Sequence, residues 1–403
     1  MEPLTEKPPW VGLVFQLPAI LQNQNQNQVQ ITWTTEWREK EHEDLNILKQ
    51  KITPYEENHT WEKVKKLSNP YELVYTNEAP FFPPSLALQK PLSRSYFKMI
   101  EMLEISQFYD RLPKAINAVR SAHVAEGPGG FIEAFLDRSE TNRKKVSKAT
   151  AMTLKPNGSN IPGWRRAHTF LQKHPEITIH YGRDGTGDIY KTANQQSFVE
   201  ICTPKVMLYT ADGGFDFSQD YSTQEKDVYP LLISSALIGL QCLQTDGLFV
   251  MKLFDIFGEP THFLIRQISY CFKDWILYKP ATSRPCNSER YLICRGFKRC
   301  IPEVLQVLVS METSIRERGE YPIVETVNWT PEEKEYLENH LKLFTENQTK
   351  IIVDSFRYID NNLSVFSWNK HIHNAQKWCS TFRVPTYLNS MINKYKEFGY
   401  IHC

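Results

Sequence analysis

The chain has 403 residues, is 41% hydrophobic, and sets 47 lysines and arginines against 46 acidic residues for a formal net charge of +1. That length fits one large domain or two ordinary ones, and the near-zero charge leaves only a local basic groove as an electrostatic reason to bind nucleic acid. Eight cysteines without a Cys-x-x-Cys pair argue against a zinc ribbon and for free thiols in a reducing compartment, while the lack of a secretory leader or an apolar run of about 18 residues predicts neither export nor a membrane span.

Residues 1–60 are polar and punctuated by proline, and "QNQNQNQVQ" (Gln22–Gln30) has no apolar period. This segment is predicted as an extension, with the glutamine tract a solvated loop or, alternatively, a self-association element. "SRSYFKMIEMLEI" (Ser93–Ile105) carries its apolar residues at helical spacing. Short apolar runs then alternate with helical stretches. "AHVAE" reads as a strand before a glycine turn, and "GFIEAFLDR" as the helix after it. "KATAMTL" (Lys148–Leu154) and "KVMLYTADGG" (Lys205–Gly214) read as further strands. "DVYPLLISSALIGLQCLQ" (Asp227–Gln244) is expected as a long apolar helix stopped by Asp246-Gly247, followed by a strand at "LFVMKLF". "WILYKP" and "ERYLICRGF" close the series with no helix between them. The alternation predicts an α/β fold: a mainly parallel sheet covered on both faces, with an antiparallel edge strand. After about residue 300 the pattern turns helical. Thr330 as N-cap, Pro331 at the first helical position and Glu333 two places on mark one helix start. Further helices are expected over 339–358 and 369–382, forming a cover over 301–403 that packs on the main domain.

"HVAEGPGGFIEAFL" (His123–Leu136) places three glycines and a proline between a strand and a helix. Glycines let a backbone come close to a ligand, and the helix start offers free N–H groups and partial positive charge. A plain structural turn is the alternative. The spacing is not Gly-x-Gly-x-x-Gly, and no acid stands about 20 residues on for a dinucleotide ribose. A small ligand with a carboxylate tail, S-adenosylmethionine, fits better than a dinucleotide.

Four charged residues stand at element ends: Lys98, Asp212, Lys252 and Glu289. Strand C-termini of an open α/β sheet face one crevice, so Asp212 and Lys252 are expected to meet there. Lys252 is flanked by Val250, Met251, Leu253 and Phe254. Either it snorkels out, or it is held in the crevice for a purpose. A second lysine nearby would lower its pKa and let it take a proton from a hydroxyl. An ordinary ion-pair network is the alternative for the whole foursome.

"SRSYFK", "EGPGGF", "ADGGF", "MKLFD" and "SRPCNSERY" occur in this order. Together they resemble the FtsJ/RrmJ-type RNA ribose 2′-O-methyltransferases, and more closely the Adrift-type cap-specific mRNA methyltransferases. The resemblance covers 61–300 strongly and the tail faintly. It implies a Rossmann-like fold with a seven-stranded sheet, and S-adenosyl-L-methionine as cofactor. It implies a catalytic set of Lys98, Asp212, Lys252 and Glu289. It also implies a donor site at Glu126, Gly127, Pro128, Gly129, Gly130 and Phe131, with Thr153, Leu154 and Asp188 around the adenosine and Asp212 near the methyl group. His123 stands where FtsJ proteins carry an aspartate and is expected to be a satisfied core histidine. The chemistry so implied is in-line transfer to a ribose 2′-oxygen, Lys252 acting as base, with no metal required. The implied partner is RNA, the capped 5′ end of mRNA, together with other capping or transcription factors. Likeness to viral members of the family implies mRNA capping in the cytoplasm. Arg94, Arg284 and Arg290 could hold phosphates or serve as ion-pair partners. Trp368 and Trp378 could stack on a cap guanine or pack in the core. The same motifs also admit an rRNA or tRNA methyltransferase, or an inactive RNA-binding protein.

Overall fold

Apolar runs rich in Val, Ile and aromatic residues pair into one central sheet in a computed structural model. It describes residues 31–40, 42–76, 82–156, 163–214, 223–323, 327, 329–360 and 368–387. The Gln22–Gln30 tract lies outside the described residues. In chain order the elements begin with β1 (Thr32–Thr34), α1 (Glu43–Gln50), α2 (Thr53–Glu57), α3 (Thr60–Leu67), α4 (Ser95–Ile105) and α5 (Phe108–Arg111). The alternating section comprises β2 (Ala118–Val124), α6 (Gly130–Thr141), β3 (Lys145–Met152), α7 (His168–Lys173), β4 (Ile177–Ile179), α8 (Thr192–Ile201), β5 (Val206–Ala211), α9 (Gln224–Cys242), β6 (Leu243–Leu253), α10 (Glu259–Tyr270), β7 (Phe272–Tyr278) and β8 (Arg290–Phe297). The tail holds α11 (Pro302–Arg318), β9 (Tyr321–Ile323), α12 (Pro331–Asp360) and α13 (Asn369–Thr381).

The seven-stranded sheet runs β4-β3-β2-β5-β6-β8-β7. β4 through β6 are parallel, and β8 is antiparallel to both neighbours. The reversed strand therefore sits one place in from the edge, because the chain turns back from β7 and inserts β8 beside β6. From β2 the sheet grows one way through β3 and β4; from β5 it grows the other way. The order reverses between β2 and β5, and at such a switch point the crevice beyond the strand C-termini opens.

Helices cover both faces. α9 is buried nearly all round, from Val228 to Cys242, as a helix without a polar face must be. It ends at Cys242 rather than at Asp246-Gly247, and β6 begins at the next residue; Asp246 then lies inside the strand with φ of 63°. The other face carries Phe97, Ile100 and Leu103 of α4 with Phe131 and Phe135 of α6. Burying a side chain of this size stabilises by about 1.5–3 kcal/mol.

Residues 31–60 do not stand apart. Leu45 and Ile52 share the core of α9 and β6, and Lys49 reaches Asp255 at 2.6 Å and Ser288 at 3.0 Å. The tail is likewise one body with the sheet. Glu333 N–H donates to Thr330 Oγ1 at 3.2 Å and Thr330 N–H to Glu333 Oε2 at 2.9 Å, the reciprocal cap expected from the sequence. From that cap α12 runs 30 residues unbroken, replacing the two separate helices expected there. Its first turns dock on β7, where Leu277 N–H donates to the Tyr336 hydroxyl at 2.9 Å.

Candidate active site

Four elements deliver the four charged residues to the crevice. Lys98 comes from the first turn of α4, Asp212 follows β5, Lys252 lies in β6 opposite Tyr291 of β8, and Glu289 immediately precedes β8. Glu289 is the centre. Its Oε1 takes Lys98 Nζ at 2.6 Å and its Oε2 lies 3.7 Å from Lys252 Nζ. Lys252 Nζ stands 3.6 Å from Asp212 Oδ1, and the same oxygen accepts a hydrogen bond from the Tyr291 hydroxyl at 2.9 Å. The Lys252 side chain is 15% exposed and that of Asp212 13%, so the cluster is recessed yet reachable. Gly214 lets the chain after β5 come this close: a Cβ there would lie 2.9 Å from the Phe254 ring and 3.4 Å from Lys252 Nζ.

The electrostatics correct one expectation. Lys98 does not depress Lys252, because Glu289 lies between them. Burial pulls the Lys252 ammonium down, but Asp212 and Glu289 outweigh it, and the pKa is raised above the ordinary lysine value. For Glu289 burial favours the neutral acid, yet Lys98, Lys252 and Lys279 together hold the carboxyl well below its usual range. In the free protein Lys252 and Glu289 thus each favour the other's charged form. Tyr291, which the sequence reading missed, pairs with Lys252 across the ladder. Its place could have been found from that register, since residues directly opposite share a face.

Along the crevice from this cluster lies the glycine turn. Gly129 takes φ of 107°, a conformation suited to glycine, and its N–H donates to Glu126 O at 2.7 Å. Gly127 lies against the backbone of Gly163, and Gly130 against Ser93 and Ser95 at the start of α4. Two residues expected to touch a donor turn inward instead. Glu126 is 5% exposed; it accepts from the Thr210 hydroxyl and lies 3.1 Å from His123 Nδ1. Phe131 is 1% exposed, its ring 5.9 Å from that of Tyr291. Both brace the turn from behind. His123 is a satisfied core histidine, with Nδ1 2.7 Å from Thr210 Oγ1 and Nε2 2.7 Å from Ser121 Oγ.

The far end of the strip is Thr153, Leu154 and the loop carrying Asp188. Lys155 N–H donates to Thr186 O at 2.7 Å, and Asp188 Oδ1 accepts from Tyr190 N–H at 2.9 Å. Leu154 and Tyr190 are 42% and 38% exposed, rare for large apolar groups here. Beside Gly129 stands Trp164, whose buried Nε1 finds no partner among the described residues. A glycine cradle, free amides at the start of α6, an unmet indole N–H, exposed apolar surface and a carboxylate acceptor fit S-adenosylmethionine. Pro128, Gly129 and Gly130 would hold its amino-acid end, Leu154 and Asp188 its adenosine.

A model of the FtsJ-like methyltransferase family matches residues 91–297, just over half of the 403. The chain belongs to the FtsJ-like methyltransferase family. It is 32% identical over 269 residues to "Cap-specific mRNA (nucleoside-2'-O-)-methyltransferase 1" of Xenopus laevis, covering 62% of this chain and 29% of that protein. The Mus musculus protein of the same name is 35% identical over 211 residues, 50% of this chain and 24% of that one. The Trypanosoma cruzi protein is 30% identical over 213 residues, 51% of this chain and 56% of that one. The chain thus spans less than a third of the length of the vertebrate relatives.

Within this FtsJ-like domain the three arginines considered for phosphates serve the structure. Arg94 donates to Glu72 Oε1 at 3.0 Å and to Thr282 O at 2.9 Å, and Arg284 reaches the same Glu72 oxygen at 3.1 Å. Arg290 is fully buried, 3.8 Å from Asp255 Oδ1 and 3.5 Å from the Phe344 ring centre. Trp368 and Trp378 are 2% and 3% exposed and pack in the core, so neither is placed to stack on a base. Gly127→Ala tests the donor cradle. Its Cβ would meet Gly163 O at 2.6 Å, a backbone atom that must shift. The expected result is a fall of about tenfold or more in affinity for S-adenosylmethionine by calorimetry, with a stability loss of about 1–3 kcal/mol.

Proposed function

We propose that this chain methylates RNA at a ribose 2′-oxygen, taking the methyl group from S-adenosylmethionine, and that its substrate is the cap-proximal nucleotide of mRNA. The observation that carries the reading is Glu289 bridging Lys98 and Lys252 with Asp212 against the second amine, all at the switch point where the donor strip begins. The names of the relatives support the choice of capped mRNA.

Bound donor supplies an electrophilic methyl group on a positively charged sulfur. The protein has to place the hydroxyl in line and accept its proton. Lys252 is the group for that proton, but Asp212 and Glu289 hold it as an ammonium in the free protein. Positive charge arriving beside Asp212 competes for that carboxylate and favours the neutral amine, so the base is released only in the loaded site. Lys98, held on Glu289 at 2.6 Å, stands where it can steady the developing oxyanion.

An RNA-side recess adjoins the cluster. A cavity of about 130 Å³ is lined by Trp61, Lys65, Phe254, Arg284, Asn287 and Gln348, and the Phe254 ring centre lies 5.1 Å from Lys252 Nζ. Its aromatic and amide groups suit a base, while Arg284 in its wall stays committed to Glu72. Action in the cytoplasm alongside other capping factors belongs to the same proposal. The test is methyl transfer from radiolabelled donor to matched capped and uncapped short RNAs, with the modified ribose then mapped. The expected product is 2′-O-methylation near the cap on the capped RNA alone. Equal labelling of uncapped RNA would favour a ribosomal or transfer RNA substrate, and no labelling of either would overturn the proposal.

A further inference from the structure

Lys279 follows the last residue of β7 and opens the loop that leads to Glu289. It is 3% exposed. Its Nζ lies 2.7 Å from Asn287 Oδ1, 2.9 Å from Asn287 O, 2.8 Å from Glu289 O and 3.3 Å from Ser283 Oγ. An ammonium has three protons, so this loop occupies all of its donors and leaves none for a substrate. The Phe344 ring of α12 covers it at 5.3 Å.

The contacts lead directly to the reacting cluster. The Ser283 hydroxyl, which Lys279 touches, donates to Glu289 Oε1 at 2.8 Å, and that oxygen also holds Lys98 at 2.6 Å. The outer side of the loop is fixed separately: Glu101 accepts from Ala281 N–H at 2.7 Å and from Thr282 N–H at 2.9 Å. Between these two anchors the loop has one bond to Lys279 at its middle and three near its end. Burial pulls the Lys279 amine down to about 7, against the pull of Glu289. A lysine kept at that cost inside a loop with no surface role needs a reason.

We propose that Lys279 is a positioning residue: by drawing the 279–289 loop around its amine it sets the place of the Glu289 carboxylate, and through that carboxylate the spacing of Lys98 and Lys252. The proposal rests on the methyl-transfer reading above. Its test uses the full chain, S-adenosylmethionine and a short capped RNA, with Lys279→Met, Ser283→Ala, Glu289→Gln and the Lys279→Met/Glu289→Gln double variant. Displacing a reactive group by about 1 Å costs on the order of 100-fold in rate, so Lys279→Met is expected to lower kcat by about that factor. KM and donor affinity by calorimetry should stay near those of the natural chain. Because the effect passes through Glu289, the double variant should be no slower than Glu289→Gln alone. Ser283→Ala, which removes one hydrogen bond, should lower kcat by about fivefold.

A Lys279→Met chain with natural kcat beside a crippled Glu289→Gln chain would overturn the positioning role, and so would effects that simply multiply in the double variant. If Lys279→Met does not fold, Lys279→Gln, whose shorter amide cannot reach all four of the amine's partners, decides in its place: a fall in kcat that disappears in the Glu289→Gln background supports the role, and an unchanged kcat overturns it. Natural activity in Glu289→Gln itself would instead overturn the proposed function, which distinguishes the two failures.

Discussion

A chain carrying Lys252→Met is expected to transfer methyl groups about 10³-fold more slowly than the natural sequence, with its affinity for S-adenosylmethionine largely kept. Methionine preserves the length and apolar stem of the side chain, which lies opposite Tyr291 on β8 and reaches the Phe254 ring at 5.1 Å. What is lost is the group able to accept the hydroxyl proton, worth about 4 kcal/mol of transition-state stabilisation at that rate loss. The donor strip, made by the ends of β2 and β3 with the Asp188 loop, is untouched. The pH dependence follows from the direction of the shift. Asp212 and Glu289 raise Lys252 above its ordinary value in the free protein, so the basic form becomes more populated only as pH rises. Since kcat/KM reports the free enzyme, it should still be climbing at the alkaline end of the measurable range. Initial rates with labelled donor across pH check both points. A natural rate in Lys252→Met would remove this lysine from the chemistry.

The largest expected effect on stability is at Glu333. Its two carboxylate oxygens both lie 2.8 Å from Arg266 Nη1, and the two side chains are 3% and 1% exposed. Arg266 also stacks against Tyr270 and Trp329, with ring centres at 4.5 and 5.0 Å. Glu333→Ala strands a buried guanidinium and removes half of the α12 cap. The expected loss is about 3–5 kcal/mol, read as a lowered midpoint of urea unfolding. Replacing both partners by apolar residues of similar size, as in Arg266→Met with Glu333→Leu, should recover most of it, because no unpaired charge then remains. If Glu333→Ala unfolds at the natural midpoint, the tail is not held to the sheet as described.

The strand–helix alternation was legible because each buried strand is a short apolar run and each covering helix has its own period. β4 escaped notice: Ile177–Ile179 is three residues long and none of them is fully buried. The packing of residues 31–60 escaped as well, since Leu45, Ile52 and Lys49 are isolated among polar neighbours and only the fold shows what they meet. The meeting of Asp212 and Lys252 was legible from strand ends sharing a crevice, whereas Lys98, on a helix, and Glu289 joined them only through the family resemblance. The sign of the Lys252 shift was not, because it depends on which charge stands nearest, and Glu289 lies between the two amines. Glu126 and Phe131 adjoin the glycine turn in sequence, but a turn has an inner and an outer side, and both side chains take the inner one. Lys279 had the same signal as Lys252, a lysine ending an apolar strand at the same end of the sheet. Read only as the end of the strand run "WILYKP", it was given no role, because the loop it organises is visible only in the fold.

Glu101, buried in α4 one turn beyond Lys98, accepts the indole N–H of Trp378 at 3.0 Å as well as the hydroxyl of Tyr278 at 2.7 Å. The donors to this one carboxylate are therefore made at widely separated times during synthesis. A nascent chain can assemble the parallel strands early, as ordinary domains do while still tethered to the ribosome. It cannot complete the surroundings of the helix that presents Lys98 until residue 378 has emerged, some 280 positions later. The helix presenting Lys98 is thus the last part of the candidate site to gain its full set of partners.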